Sequence, residues 1–454
     1  MSALGSITAR VKTDVGRAPT AWLYLVIALT WGLAMALITP PFQVPDEDAH
    51  YYRAWSVAQL ELVAEPGWVL TLPDNVATLP ERLGSSVVDW NTNRYSVRAA
   101  RDMLWEPIAP TSRGVATAAA TYGPIGYIPQ AIGISAARVL GHSPLLALYF
   151  GRFLNLCASA MMAFFAIRMV PFGKPLMALV ALLPMVVFEA ASLSLDGLAL
   201  SGCFLFLAIA LRLSTRPFLR TADLVLMTCT ATVMLNIKPG FVALVLLIFM
   251  LRPRQFGSGR RRYAVWVIST LAAAVGLSAL LMLVPPHLAS LSINGVDQSG
   301  QLAFVLQHPW AFTKVLYRTF DLMLLILAQE GYGVLGWLNV GLPVVGMCGM
   351  LLAAILFMGY QETVRTTHWQ RLVMCATGVV LACVVSLALY TASPVAAPAV
   401  GDLQGRYFIP VLALGLFAIY GIRPRRERAI LLILVAAVGV AAVTTIAALL
   451  RFYY

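Results

Sequence analysis

Apolar runs of about twenty residues recur along the chain, the length needed to cross a hydrocarbon core of ~30 Å. The first covers roughly Ala21 to Thr39. After a long polar stretch come Pro144 to Val170, Pro175 to Ser192, Leu195 to Leu213, Asp223 to Ile237, Gly240 to Leu251 and Tyr263 to Val284. The last four fall at Asn339 to Met358, Leu372 to Tyr390, Tyr407 to Ile422 and Ile430 to Leu450. The runs are continuous and do not alternate, which excludes an outer-membrane barrel. They predict an all-α, polytopic membrane protein of about 11–13 spans.

Two further apolar segments would raise the count to about 13 if they crossed the membrane; the preferred reading makes neither a full span. Tyr122 to Leu140 is short and interrupted by Gly and Pro. Phe312 to Leu327 carries Lys314, Arg318 and Asp321, which suits a helix lying on the membrane surface. The expected organisation is therefore a cytoplasmic N-terminus (1–20), a first span (21–39) and a large structured outer loop (40–143). A transmembrane core (144–284), a second outer segment (285–338) and C-terminal spans (339–454) follow. Within the first loop, Asp46 to Val63 reads as an amphipathic helix. Trp55, Trp68, Trp90 and Trp105 suit a segment at the membrane–water interface. No small-residue cleavage site follows the first apolar run, so it reads as a retained helix.

Composition agrees: 60% of residues are hydrophobic and mean hydropathy is +0.81, which excludes a soluble multidomain enzyme. The net charge of +12 does not indicate a nucleic-acid partner. Its basic residues cluster in short loops, the pattern that fixes orientation in a membrane. With eleven spans, one face holds 19 of the 32 basic residues against four acids, Asp14, Asp223, Glu362 and Glu427. That face also takes Arg10, Lys12 and Arg17, so the N-terminus is expected in the cytoplasm. The six cysteines lie in apolar segments without metal or disulfide spacing. No internal repeat of the transporter kind is evident.

The chemistry gathers at predicted outer helix ends. Pro40 to Tyr51 follows the first span and contains Asp46, Glu47, Asp48 and His50. Glu189, Ser192, Ser194 and Asp196 fall at another outer end, Asn236 and Lys238 at a third, and Gln404, Arg406 and Tyr407 at a fourth. Arg152, near the start of the second span, is a weaker member. Ionisable groups at a membrane boundary are costly unless something uses them. One side of this set is acidic and the other basic. That division suits proton removal by a carboxylate while cations hold an anionic leaving group. Each piece also has a plainer reading. Asp46, Glu47 and Asp48 form a favourable first turn for a helix. Asp196 also suits a helix cap, Lys238 a snorkelling cation, and Arg406 a partner for Asp402. Asp46, Asp48 and His50 also suit a hard divalent cation such as Mg²⁺ or Mn²⁺.

Four motifs together carry a resemblance. They are Pro45-Asp-Glu-Asp-Ala-His50, Lys238-Pro239, Gly333-Val-Leu-Gly-Trp-Leu-Asn339 with Leu342-Pro343, and Gln404-Gly-Arg-Tyr-Phe-Ile-Pro410. Over roughly Thr39 to Pro410 the chain resembles a family of uncharacterised bacterial membrane proteins, itself similar to the GT-C superfamily of membrane glycosyltransferases. The resemblance implies a polyprenyl-phosphate-linked sugar donor and an active site on the outer face of the cytoplasmic membrane. It implies Asp46 as general base with Glu47 as partner or substitute. Lys238 and Arg406 match the cations that hold the donor phosphate in such enzymes. From their positions at the same outer helix ends, His50, Asp196, Gln404 and Tyr407 are expected to line the substrate site. Some members of such families use a divalent metal and others do not. The acceptor would be a glycan, a lipid or a protein. Three competing classes remain: a transporter or flippase for a lipid-linked glycan, an O-antigen polymerase or ligase, and an assembly factor. One-sided ionisable residues argue against the transporter, and the acids after the first span argue against the other two.

Overall fold

The structure is a computed structural model that describes residues 19–65, 67–83, 95–257, 259–283, 297–358, 366–420 and 428–454. Arg10, Lys12 and Arg17, Trp90, Arg365 with Glu362, and Arg423 to Glu427 lie outside those residues, as does the start of the second outer segment.

The architecture is all-α, with two small two-stranded antiparallel sheets. Five described helices are long and apolar enough to cross a membrane: α1 (Pro19–Ile38), α4 (Pro144–Met169), α7 (Leu195–Ser214), α13 (His368–Tyr390) and α15 (Ile430–Tyr453 of a helix that starts at Arg428). Their outward faces remain apolar: Val379, Leu432 and Val443 are each more than 60% exposed. A water-soluble protein rarely leaves so much apolar surface uncovered. α7 is the central element, with 83% of its apolar window buried.

Besides short turns of helix in the first loop, further elements in chain order include α2 (Glu47–Ala58), β1 (Val69–Pro73), β2 (Ser112–Ala116), α3 (Ile128–Val139), α5 (Lys174–Ala181), α6 (Pro184–Ala190) and α8 (Thr221–Ile237). They continue with α9 (Arg260–Leu283), α10 (Gln298–Gln307), α11 (Pro309–Gly333), β3 (Val334–Leu335), β4 (Val340–Gly341), α12 (Val344–Met358) and α14 (Ile409–Ile419).

Several boundaries differ from the sequence reading, each for a local reason. The expected span at Pro175 to Ser192 is broken into α5 and α6, because Pro184 removes a donor where the helix would continue. Pro239 to Met250 is wound as 3₁₀ turns, which rise ~2 Å per residue and so stretch a short segment further than an α-helix would. The run expected from Asn339 starts at Val344, since Val340–Gly341 pairs with Val334–Leu335 in a hairpin. The segment Tyr122 to Leu140 supplies a 3₁₀ turn at Pro124–Tyr127 and the 12-residue α3, ~18 Å long, which lies along α4 and α2. Its close approach to α4 needs Gly133, where a Cβ would meet the Phe150 carbonyl oxygen at 2.4 Å.

The amphipathic helix expected over Asp46 to Val63 stops at Ala58. Arg53 ends it by turning its guanidinium onto the carbonyls of Glu61 (3.2 Å) and Leu62 (2.7 Å), which reverses the chain toward β1. Trp55, expected as an interface anchor, is instead fully buried, with the Arg138 guanidinium 5.7 Å above its ring. Trp105 is exposed and Trp68 half-buried.

Candidate functional site

The C-terminal end of α1, the N-terminal ends of α2 and α7, the C-terminal end of α8 and the turn preceding α14 converge at one end of the bundle. α1 and α2 are joined by Thr39 to Asp46, and a buried ion pair fixes that turn. Arg152 of α4 and Glu47 of α2 are both fully buried and pair through two contacts, Nε–Oε1 at 2.7 Å and Nη2–Oε2 at 2.5 Å. The same guanidinium donates to the carbonyls of Ala36 (2.8 Å), Thr39 (2.7 Å) and Pro40 (3.0 Å). Those carbonyls include ones that the end of α1 would leave without donors. Glu47 also accepts from the backbone N–H groups of Phe42 (2.9 Å) and Leu193 (3.1 Å). Glu47 therefore does not share the role expected of Asp46: its carboxylate is turned into the core and fully used in holding the turn.

Asp46 behaves differently although it is the residue immediately before Glu47. Its backbone is left-handed (φ 60°), a conformation that costs most residues about 1 kcal/mol and that Asp tolerates better. It occupies the N-cap position of α2 but its side chain makes no capping hydrogen bond. The carboxylate is instead 61% exposed, with Oδ2 3.8 Å from Arg406 Nη2. Crowding by the surrounding helix ends raises its pKa above the ordinary carboxylate value. Arg406 opposes that shift, Asp196 and Asp48 reinforce it, and Lys238 again opposes it.

Behind Asp46 lies a network in which acids and cations alternate. Arg406 Nε is 2.8 Å from Asp196 Oδ2 and Nη1 is 3.3 Å from Glu189 Oε1. Lys238 pairs with the other oxygen of Asp196. Tyr407 presents its ring to both cations, 4.5 Å from Lys238 Nζ and 5.2 Å from Arg406 Cζ. The sequence suggests an acidic side facing a basic one. The two signs are interleaved because Lys238 and Arg406, both largely buried, need counter-charges to stay there. Asp196 is that counter-charge. It is not the helix cap, since Ser194 Oγ accepts from the Asp196 N–H and caps α7. Lys238 does not snorkel outward, and Arg406 pairs with Asp46, Glu189 and Asp196 rather than with Asp402.

Arg406 is delivered by a tight backbone crossing. Gly405 N–H donates to Glu330 Oε2 of α11 at 2.8 Å. A Cβ on Gly405 would meet the Leu327 carbonyl oxygen at 2.0 Å and the Gly331 nitrogen at 2.4 Å. Both are backbone atoms, so Gly405→Ala is expected to separate α11 from this turn and cost about 1–3 kcal/mol. A lower unfolding temperature in detergent checks it; unfolding identical to wild type would show that the crossing relaxes freely. Gln404 places its Oε1 here too, buried and without a hydrogen-bond partner.

His50 lies one helical turn beyond Asp46. Its Nδ1 shares a 2.7 Å hydrogen bond with the Tyr127 hydroxyl. Burial lowers its pKa to about 4, with Asp196 opposing and Lys238 and Arg406 adding to the effect, so the ring is neutral near pH 7. Among the described residues no group of three or more His, Cys, Asp or Glu side chains is placed to hold a metal ion. Asp46, Asp48 and His50 in particular do not converge: Asp46 faces Arg406 and His50 is bound to Tyr127. The carboxylates that do converge are gathered around a guanidinium. Arg152 and the pair Tyr122 and Tyr127, whose rings lie 6.1 and 5.8 Å from that of His50, are the contributors that sequence reasoning underrated or missed. Their sequence signals were an arginine inside an apolar span and two tyrosines flanking Gly-Pro-Ile-Gly.

The site lies at the opposite end of α7 from a group of arginines. Asp196 and Arg212 are sixteen positions apart on that helix, which places them ~24 Å apart along its axis.

Residues 29–415 match the family of predicted membrane proteins called DUF2142, so the chain belongs to that family and is an all-α, membrane-embedded, polytopic protein. No curated protein and no solved structure matches it.

Proposed function

For this member of the DUF2142 family we propose a glycosyltransferase of the GT-C type, transferring sugar from a polyprenyl-phosphate donor to an envelope acceptor. The single observation that carries the reading is the position of Asp46. It is an exposed, uncapped carboxylate at a membrane boundary, 3.8 Å from a buried arginine that is linked through Asp196 to Lys238. A proton acceptor thus stands beside two cations, the arrangement needed when one bond forms to an alcohol oxygen as another breaks to a phosphate.

The acceptor hydroxyl attacks the anomeric carbon, and its proton passes to Asp46 Oδ. The C1–O bond to the lipid phosphate breaks, and its electron pair stays on the phosphate. Lys238, the more accessible of the two cations, meets that phosphate first, with Arg406 behind it and Tyr407 between them. The attack is from the opposite side, so the anomeric configuration inverts. No covalent nucleophile is required. The arginine-rich end of α7 is assigned to the cytoplasm by its charge. The site then faces outward from a bacterial cytoplasmic membrane, where an activated sugar has to arrive on a lipid.

The test is transfer from a defined polyprenyl-phosphate sugar by purified protein in liposomes, with the product's anomeric configuration read by NMR. Inverted glycoside is the expected product. Movement of the intact donor between leaflets with no transfer would replace this reading with that of a flippase.

A further inference from the structure

At the end of the bundle opposite Asp46, three segments enclose a cavity of about 440 Å³ that the proposed reaction does not use. They are the loop between α7 and α8, the loop between Met250 and Phe256, and the N-terminus of α13. Two buried glutamines bind them together. Gln255 Nε2 donates to the carbonyls of Leu213 (3.0 Å) and Arg216 (2.6 Å), and its Oε1 accepts from the Arg252 N–H at 2.7 Å. Gln370 Nε2 donates to Ser214 Oγ at 2.8 Å, and its Oε1 accepts from the Thr367 N–H at 2.7 Å.

The walls of this frame are cationic. Arg216, Arg252 and Arg254 all line it. Arg216 is paired with Asp223. Among the described residues, Arg252 and Arg254 have no acidic partner. The first turn of the 23-residue α13 also opens here, adding the positive end of its dipole. Charge bias alone sets orientation and calls only for basic residues in a loop. It does not call for two guanidiniums without an acidic partner among the described residues converging on one concavity with a helix N-terminus. The rim is aromatic: Phe218 lines the cavity and is 70% exposed, and Trp369, next to the Gln370 that lines it, is 45% exposed. Exposed tryptophans such as Trp369 sit at the level of lipid headgroups, and the bare Phe218 ring adds apolar surface beside it.

We infer that this cavity binds the phosphodiester headgroup of an anionic phospholipid. Arg252 and Arg254 take the phosphate oxygens, and Phe218 and Trp369 flank the acyl chains. A soluble phosphate compound would use the same cations but gain nothing from the aromatic rim.

The test reconstitutes full-length protein in nanodiscs of phosphatidylglycerol and phosphatidylcholine at equal amounts, then counts retained lipids by native mass spectrometry. Wild type is expected to retain phosphatidylglycerol preferentially. Arg252→Gln with Arg254→Gln should weaken that retention by about tenfold or more, the scale expected when two cations leave a surface phosphate site. The single variant Arg254→Gln should fall between them, and it decides the matter should the double variant not fold. Equal retention of the two lipids by wild type, or unchanged retention by the variants, overturns the assignment. So does displacement of the bound lipid by millimolar inorganic phosphate or glycerol phosphate, which would identify a soluble occupant.

Discussion

Asp46→Asn is expected to slow transfer from a polyprenyl-phosphate donor on the order of 10²- to 10⁴-fold, the range associated with loss of a positioned general base. Asparagine has nearly the same volume, and Asp46 makes no capping hydrogen bond to lose, so folding should be little changed. Asparagine also tolerates the left-handed backbone at this position. Wild-type activity should therefore depend on pH in a definite direction. The base acts when ionised, so the rate is low at acid pH and rises through the Asp46 pKa. Crowding holds that pKa above the ordinary carboxylate value, and the limb should appear correspondingly late. In Asp46→Asn the residual rate should lose that limb. A variant that keeps both rate and limb would remove Asp46 from the reaction.

How far the sequence reading reached depends on the solvent each residue meets. Lipid forces backbone groups to be satisfied within helices, so spans are written as continuous apolar runs. α1, α4, α7, α13 and α15 were accordingly legible, while the break at Pro184 and the 3₁₀ turns after Pro239 were not. Among the site residues, the meeting of Asp46, Asp196, Lys238 and Arg406 followed from helix direction alone. Their interleaving did not, because counter-charge pairing is decided by side-chain packing across helices far apart in sequence. The hardest distinction was between Asp46 and Glu47. Adjacent acids in one motif have the same composition and spacing. In the structure Asp46, with its left-handed backbone, faces Arg406, while Glu47 at the start of α2 turns into the core toward Arg152. Trp55 illustrates the same limit, since periodicity could not tell an interface-facing tryptophan from one packed beneath Arg138.

Arg152→Met is expected to destabilise the protein by about 3–5 kcal/mol, the cost of leaving one member of a buried ion pair without its partner. The loss is twofold: Glu47 keeps a buried charge, and the carbonyls of Ala36, Thr39 and Pro40 lose their donor. Glu47→Gln should cost less. Its amide oxygen still accepts one of the two backbone N–H groups, and Arg152 keeps its three carbonyls. Arg152→Met combined with Glu47→Gln should recover only part of the stability, since those carbonyls remain unserved. Thermal unfolding of the three variants in detergent gives the order directly. Equal losses for both single variants would mean that the charge pair, not the carbonyl clamp, fixes the turn. The same set separates the two neighbouring acids. If Glu47 only holds the turn, Glu47→Gln keeps the acid limb of the pH profile even where its rate falls with stability. Were that limb to vanish in Glu47→Gln and persist in Asp46→Asn, the base would be Glu47 and the turn would have to open for catalysis.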